Sequence, residues 1–79
     1  KRQGLKKDPN NPKGLLFVAV YKAEKGDYKK AAEYVELAKK ADPGYATVYS
    51  IGADIYKKKG NFLKSFMYKR EYERLRELK

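Results

Sequence analysis

The chain has no cysteine, no histidine and no tryptophan, and only 3 of its 79 residues are proline. Without cysteine or histidine there can be no disulfide, no thiolate or imidazole metal ligand, and no Ser/His or Cys/His nucleophile–base pair. The lack of cysteine suits a reducing compartment such as the cytoplasm. Long apolar runs are missing too. The longest stretch, GLLFVAVY from Gly14 to Tyr21, falls short of the roughly 18 residues of a membrane-crossing helix, and no small-residue cleavage pattern follows it. No membrane insertion is expected. A chain of this length makes at most one domain and buries only about 60% of the surface its unfolded form exposes, so its stability rests on packing alone. It opens on KRQGLKK with no initiator methionine, as a piece of a longer protein would.

What the chain does have is an internal repeat. A shift of 34 places lays Asp8-Pro9 on Asp42-Pro43, Ala19 on Ala53, Lys25-Gly26 on Lys59-Gly60, Lys30 on Lys64 and Tyr34 on Tyr68. Similar pairs fill the gaps: Phe17 with Ile51, Asp27 with Asn61, Tyr28 with Phe62, and Ala31 with Ser65.

Each unit divides into two helices. Asn11-Pro12 supplies a capping side chain and a proline suited to a first helical turn, and Gly26 stops the helix that follows. The all-apolar run is therefore helical, although periodicity alone allows a strand. Asp27 can cap a second helix, in which Tyr28, Ala31, Ala32, Val35 and Ala38 recur at three- and four-residue spacing until Ala41. The pattern predicts a third helix from about Tyr45 to Lys59, a Gly60-Asn61 turn, and a last helix from Phe62 nearly to the end. Small residues allow two helices to approach closely, so Ala19, Ala31, Ala53 and Ser65 are the expected crossing points.

On these residues the chain resembles the tetratricopeptide repeats. The likeness lies in Gly26-Asp27-Tyr28 and its variant Gly60-Asn61-Phe62, in Ala19 and Ala53 seven places before each glycine, in Ala31 and Ser65 five places after, and in Ala38 and the two Asp-Pro pairs, the second at Pro43. The resemblance implies an all-α fold of antiparallel helix-turn-helix hairpins stacked as a short right-handed solenoid. Residues 1–11 would be the end of a preceding unit, 12–45 the first repeat, and 46–79 a second repeat with an extended final helix. The last helix departs from the pattern, with Lys69 and Tyr72 in places that are usually apolar and small.

GLLFVAVY is apolar all round, more than one packing stripe requires. Leu15, Val18, Ala19 and part of Tyr21 are assigned to the hairpin, which leaves Leu16, Phe17, Val20 and Ala23. In the resembled family the first helix of each hairpin lines a concave surface that binds an extended peptide or a helix. That resemblance puts Lys13, Leu16, Phe17, Val20, Ala23, Ser50, Asp54 and Lys57 in a peptide-binding surface, with Leu16 and Val20 partly exposed at its centre. Some members grip acidic C-terminal tails there with lysines and asparagines, whereas this chain has Leu16, Val20 and Ile51. The expected ligand is a hydrophobic anchor or an amphipathic helix. A second copy of the chain could also cover these residues, giving a homodimer through this face or through the last helix, where Phe62, Phe66, Tyr68, Tyr72, Leu75 and Leu78 exceed one stripe.

Charge offers a second reading. Basic residues number 20 against 10 acidic, a net charge of +10, so the chain could hold nucleic acid or an acidic protein surface. The signs alternate along the second and fourth helices, however, as on a solvated face (Glu33, Glu36, Lys39 and Lys40; Arg70, Glu71, Glu73 and Arg74). Protein is therefore the first expectation. The 8 tyrosines are expected as wedges between helices with hydroxyls reaching water. Glu24 and Asp54 alone make a poor catalytic set, and neither an enzymatic activity nor a cofactor is expected.

Overall fold

The computed structural model describes residues 11–78, which form four helices and no strand: α1 (Pro12–Glu24), α2 (Tyr28–Ala41), α3 (Ala46–Lys59) and α4 (Phe62–Glu77). The Asp8-Pro9 pair and the remnant of a preceding unit lie outside the described residues.

Local chemistry sets each boundary. Asn11 Oδ1 accepts from the amides of Lys13 at 2.9 Å and Gly14 at 3.4 Å, and Pro12 takes the first turn of α1. Asp27 Oδ1 accepts from Lys30 N and Asn61 Oδ1 from Lys64 N, both at 3.2 Å, so α2 and α4 start in the same way. The two hairpin turns also share a backbone. Gly26 (φ 85°) and Gly60 (φ 94°) are left-handed, and the next amide reaches back five residues, Asp27 N to Lys22 O at 2.9 Å and Asn61 N to Tyr56 O at 2.8 Å. This is the glycine-terminated helix end that satisfies two otherwise orphaned carbonyls. The sequence repeat is thus a repeat of turn geometry.

Helix α1 packs on α2, α2 on α3 and α3 on α4, and α1 also touches α3. The core consists of Leu15, Leu16 and Ala19 from α1, Ala31, Ala32, Val35 and Ala38 from α2, Val48, Tyr49, Ile55 and Tyr56 from α3, and Tyr68 from α4. Of the four expected crossing residues, two are in the core and two are half-buried. Ala19 and Ala31 are fully buried, and Ser65 Oγ donates to Ala53 O at 2.8 Å where α4 meets α3.

Three expectations are corrected. Leu16, expected partly exposed, is only 3% exposed. Because α1 contacts both α2 and α3, its buried arc is wider than a single hairpin stripe and takes in Leu16 beside Leu15. The arc ends before Tyr21, which is 53% exposed, and Val18 is half-buried. Phe62, expected as a structural counterpart of the half-buried Tyr28, is 66% exposed, because α2 has α1 and α3 beside it whereas among the described residues α4 packs on α3 alone. The tyrosine wedges are real, but their hydroxyls find protein acceptors: Tyr49 donates to Pro43 O at 2.8 Å, and Tyr56 and Tyr68 both donate to Glu36.

Candidate binding groove

Two adjoining grooves run along α3. One, of about 310 Å³, lies between α1 and α3 and is lined by Val20, Ala23, Glu24, Ser50, Ile51, Asp54, Ile55 and Lys58. The other, of about 280 Å³, lies between α3 and α4 and is lined by Ser50, Ala53, Asp54, Lys57, Ser65, Lys69 and Tyr72. Ser50 and Asp54 belong to both. The two therefore form one trough, with α3 as its midrib and α1 and α4 as its walls. Successive turns of α3 present Ser50 and Asp54 on the same side because they are four residues apart.

Five of the eight expected binding residues come together there: Val20, Ala23, Ser50, Asp54 and Lys57. Leu16 lies beneath them in the core. Phe17, 77% exposed, lies outside both grooves. Lys13 lines a separate hollow with Asn11, Pro12, Asp42 and Tyr45, beside the α2–α3 turn. On the α4 wall the sequence reading missed Lys69 and Tyr72. Their signal was available, since they stand 34 places after Val35 and Ala38, both fully buried in α2. Polar or bulky residues at positions that are core in the first unit indicate that the second unit lies open there.

The trough mixes apolar and charged surface. Val20, Ala23, Ile51 and Ile55 give an apolar end, and Glu24, Asp54, Lys57, Lys58 and Lys69 ring the rest. Lys58 Nζ lies 3.7 Å from Asp54 Oδ2, an exposed pair that holds the rim without anchoring the fold. Among the described residues no group of three carboxylates gathers to hold a metal ion, and no helix is long and apolar enough to cross a membrane.

Glu36 of α2 receives Tyr56 Oη at 2.6 Å and also Tyr68 Oη. Tyr56 leaves α3 two residues after Asp54, which places it on the far side of that helix from the trough. Lys64 Nζ at 3.8 Å and Lys39 Nζ at 3.9 Å complete the shell around the carboxylate. Partial burial pushes the Glu36 pKa up, but the two phenols and two ammonium groups outweigh it, and the net shift is downward. Burial and the adjacent carboxylate raise both phenol pKa values. Tyr68 also stacks edge-on against Tyr49 and Tyr56, with ring centroids 5.5 and 5.2 Å apart. One acidic residue of the first hairpin thus ties down both helices of the second. Glu36 had been counted among the solvated charges of α2, and its junction role is a further correction.

Comparison with known proteins gives no match: no family model, no curated protein and no solved structure aligns significantly with the chain. The functional reading rests on the groove itself.

Proposed function

We propose that the chain is a tetratricopeptide-like pair of helical hairpins whose trough holds a peptide or an amphipathic helix, so that it serves as a protein-interaction scaffold. The observation that carries this reading is the continuity of the trough, two grooves joined at Ser50 and Asp54. Its apolar end suits an anchor side chain, and its ring of both charge signs suits the polar side of the same ligand.

The test is a displayed library of helical and extended peptides panned on the protein. Selected binders should lose about tenfold or more in affinity on Ala23→Arg or Ser50→Arg, which fill the trough. They should be indifferent to Glu33→Arg on the solvated side of α2. Binders that ignore both trough substitutions overturn the reading.

A second reading is favoured by one observation. The lysines around the two hairpin turns, Lys22, Lys25, Lys29 and Lys30 with Lys57, Lys58, Lys59 and Lys64, gather at the end of the molecule to which both turns belong. That end would attract a polyanion. Random duplex DNA should bind it weakly and be released almost wholly as salt rises from about 50 to 200 mM. Tight binding that persists at the higher salt would place nucleic acid first.

A further inference from the structure

The contact between the two hairpins is made by defined sides of α2 and α3. On α2 it uses Val35 and Glu36, with buried Ala32 one turn before. On α3 it uses Tyr56 and Gly52, whose backbone lies against Val35, and buried Val48 and Ile55 continue that side. The 34-residue repeat carries each side to a second place in the chain. The α3 side maps onto Gly14, Val18 and Tyr21 of α1, with Phe17 at the position of half-buried Ile51. The α2 side maps onto Phe66, Lys69 and Arg70 of α4, with Phe62 at the position of Tyr28.

Apart from half-buried Val18, both mapped sides are bare among the described residues. Tyr21 and Phe17 are exposed on α1, and Phe62 and Phe66 are 66% and 58% exposed on α4. Large apolar side chains gathered in this way mark an interaction surface. At one position on each side the bulk changes in opposite senses. Where α2 has Ala32, α4 has Phe66; where α3 has Val48, α1 has Gly14, with only the Asn11 side chain, at 4.0 Å, near its missing Cβ. Elsewhere on α1 bulk is added, with Phe17, Val18 and Tyr21 where α3 has Ile51, Gly52 and Ile55.

We propose that a second copy of this chain docks end to end, its α1 side on the α4 side of the first, continuing the contact that joins the two hairpins. The proposal needs no ligand in the trough, although Lys69 belongs both to this side and to the trough's α4 wall. Residues 1–10 carry only one large apolar residue, Leu5, too little to cover Phe17 and Tyr21. Such a contact uses different patches on the two copies, so it closes into a ring or grows as an open chain and does not stop at a two-fold dimer. It is weaker than its internal counterpart. Lys22 and Arg70 stand where Tyr56 and Glu36 meet inside the molecule, and every copy carries a charge of +10. Added salt screens that repulsion, so association strengthens with salt.

The experiment is sedimentation of the full chain over a wide concentration range, with two double variants: Phe17→Glu with Tyr21→Glu, and Phe62→Glu with Phe66→Glu. The parent chain should pass from monomer to species larger than a dimer, at lower concentration when salt is raised. Each variant alone should remain monomeric, and the two mixed one to one should form a dimer and nothing larger, since one sound patch of each kind remains. Cysteine supplies a readout that does not depend on these glutamates. Phe17→Cys mixed with Phe66→Cys should join through a short bis-maleimide, while either alone should not. A parent chain that stays monomeric overturns the proposal. So does an α1 variant that associates like the parent, or a Phe66→Cys variant that joins to itself as readily as to Phe17→Cys.

Discussion

Glycine at position 52 and glutamate at position 36 determine how the hairpins meet. A glycine inside a helix ordinarily costs about 1 kcal/mol against alanine, so Gly52→Ala would be expected to stabilise α3. Here the sign reverses. The added Cβ would stand 2.5 and 2.7 Å from the Tyr68 ring and 2.9 Å from Val35 Cγ1, and neither neighbour is a flexible chain end. Overpacking of this kind costs about 1–3 kcal/mol, which exceeds the gain in propensity, and denaturant melts should show a net loss. Gly14→Ala, where the added Cβ would meet only the Asn11 side chain at an ordinary contact distance of 4.0 Å, should be neutral or stabilise by up to about 1 kcal/mol. Tyr68→Phe removes a donor to a carboxylate and should cost about 1–2 kcal/mol. The pH dependence follows from the direction of the Glu36 shift. Its pKa is lower in the folded chain than its ordinary value of 4.5, so the stability it supplies is complete above that value and is lost as pH falls through the lower, folded one. Melts from neutral to acid pH should therefore show the parent and Glu36→Gln converging below pH 4.5. The raised phenol values act at the other limit, withdrawing stability as pH climbs above 10.0.

At the scale of the element, the helices were legible because their ends are local chemistry. Asn11, Asp27 and Asn61 before three of the four starts, and Gly26 and Gly60 after two of the stops, act within a turn of themselves, and no tertiary contact is needed to read them. Asp27→Ala and Asn61→Ala should each cost about 1 kcal/mol by chemical denaturation. The start of α3 has no side-chain cap, and the Tyr45–Ala46 boundary was accordingly the least sharply placed. Which side a helix buries is a different kind of fact. Leu16 and Tyr21 belong to the same apolar run in the sequence, and it is the packing of α1 on α2 and α3 that buries the first and leaves the second exposed. The junction at Glu36 was illegible for the same reason, since its phenol partners lie 20 and 32 residues away and nothing local sets it apart from Glu33, Lys39 and Lys40 of the same helix. The trough lay between these extremes. Its α1 and α3 walls followed from the repeat, whereas the α4 wall required noticing that Lys69 and Tyr72 had replaced core residues.

For the molecule as a whole, charge dominates the response to solvent. Among the described residues four ion pairs, all with substantially exposed partners, tie a few of the charges locally, and each contributes little. The excess of 10 positive charges is spread over a small body and opposes compactness. Salt weakens the pairs and the repulsion together, but the uncompensated charge outweighs the pairs. The melting temperature should therefore rise between about 20 and 200 mM sodium chloride in circular-dichroism scans. A fall over that range would mean that the local pairs matter more than the net field.

The Glu36 junction has an optical consequence. With no tryptophan in the chain, ultraviolet emission comes from tyrosine alone. A phenol that donates to a carboxylate emits poorly, because its excited state passes the proton to the acceptor. Tyr56 and Tyr68 are both held in that state while the hairpins are joined. Parting the hairpins releases two phenols into water, and the fluorescence brightens as the fold opens, so the joint between the repeats carries an intrinsic reporter of its own rupture.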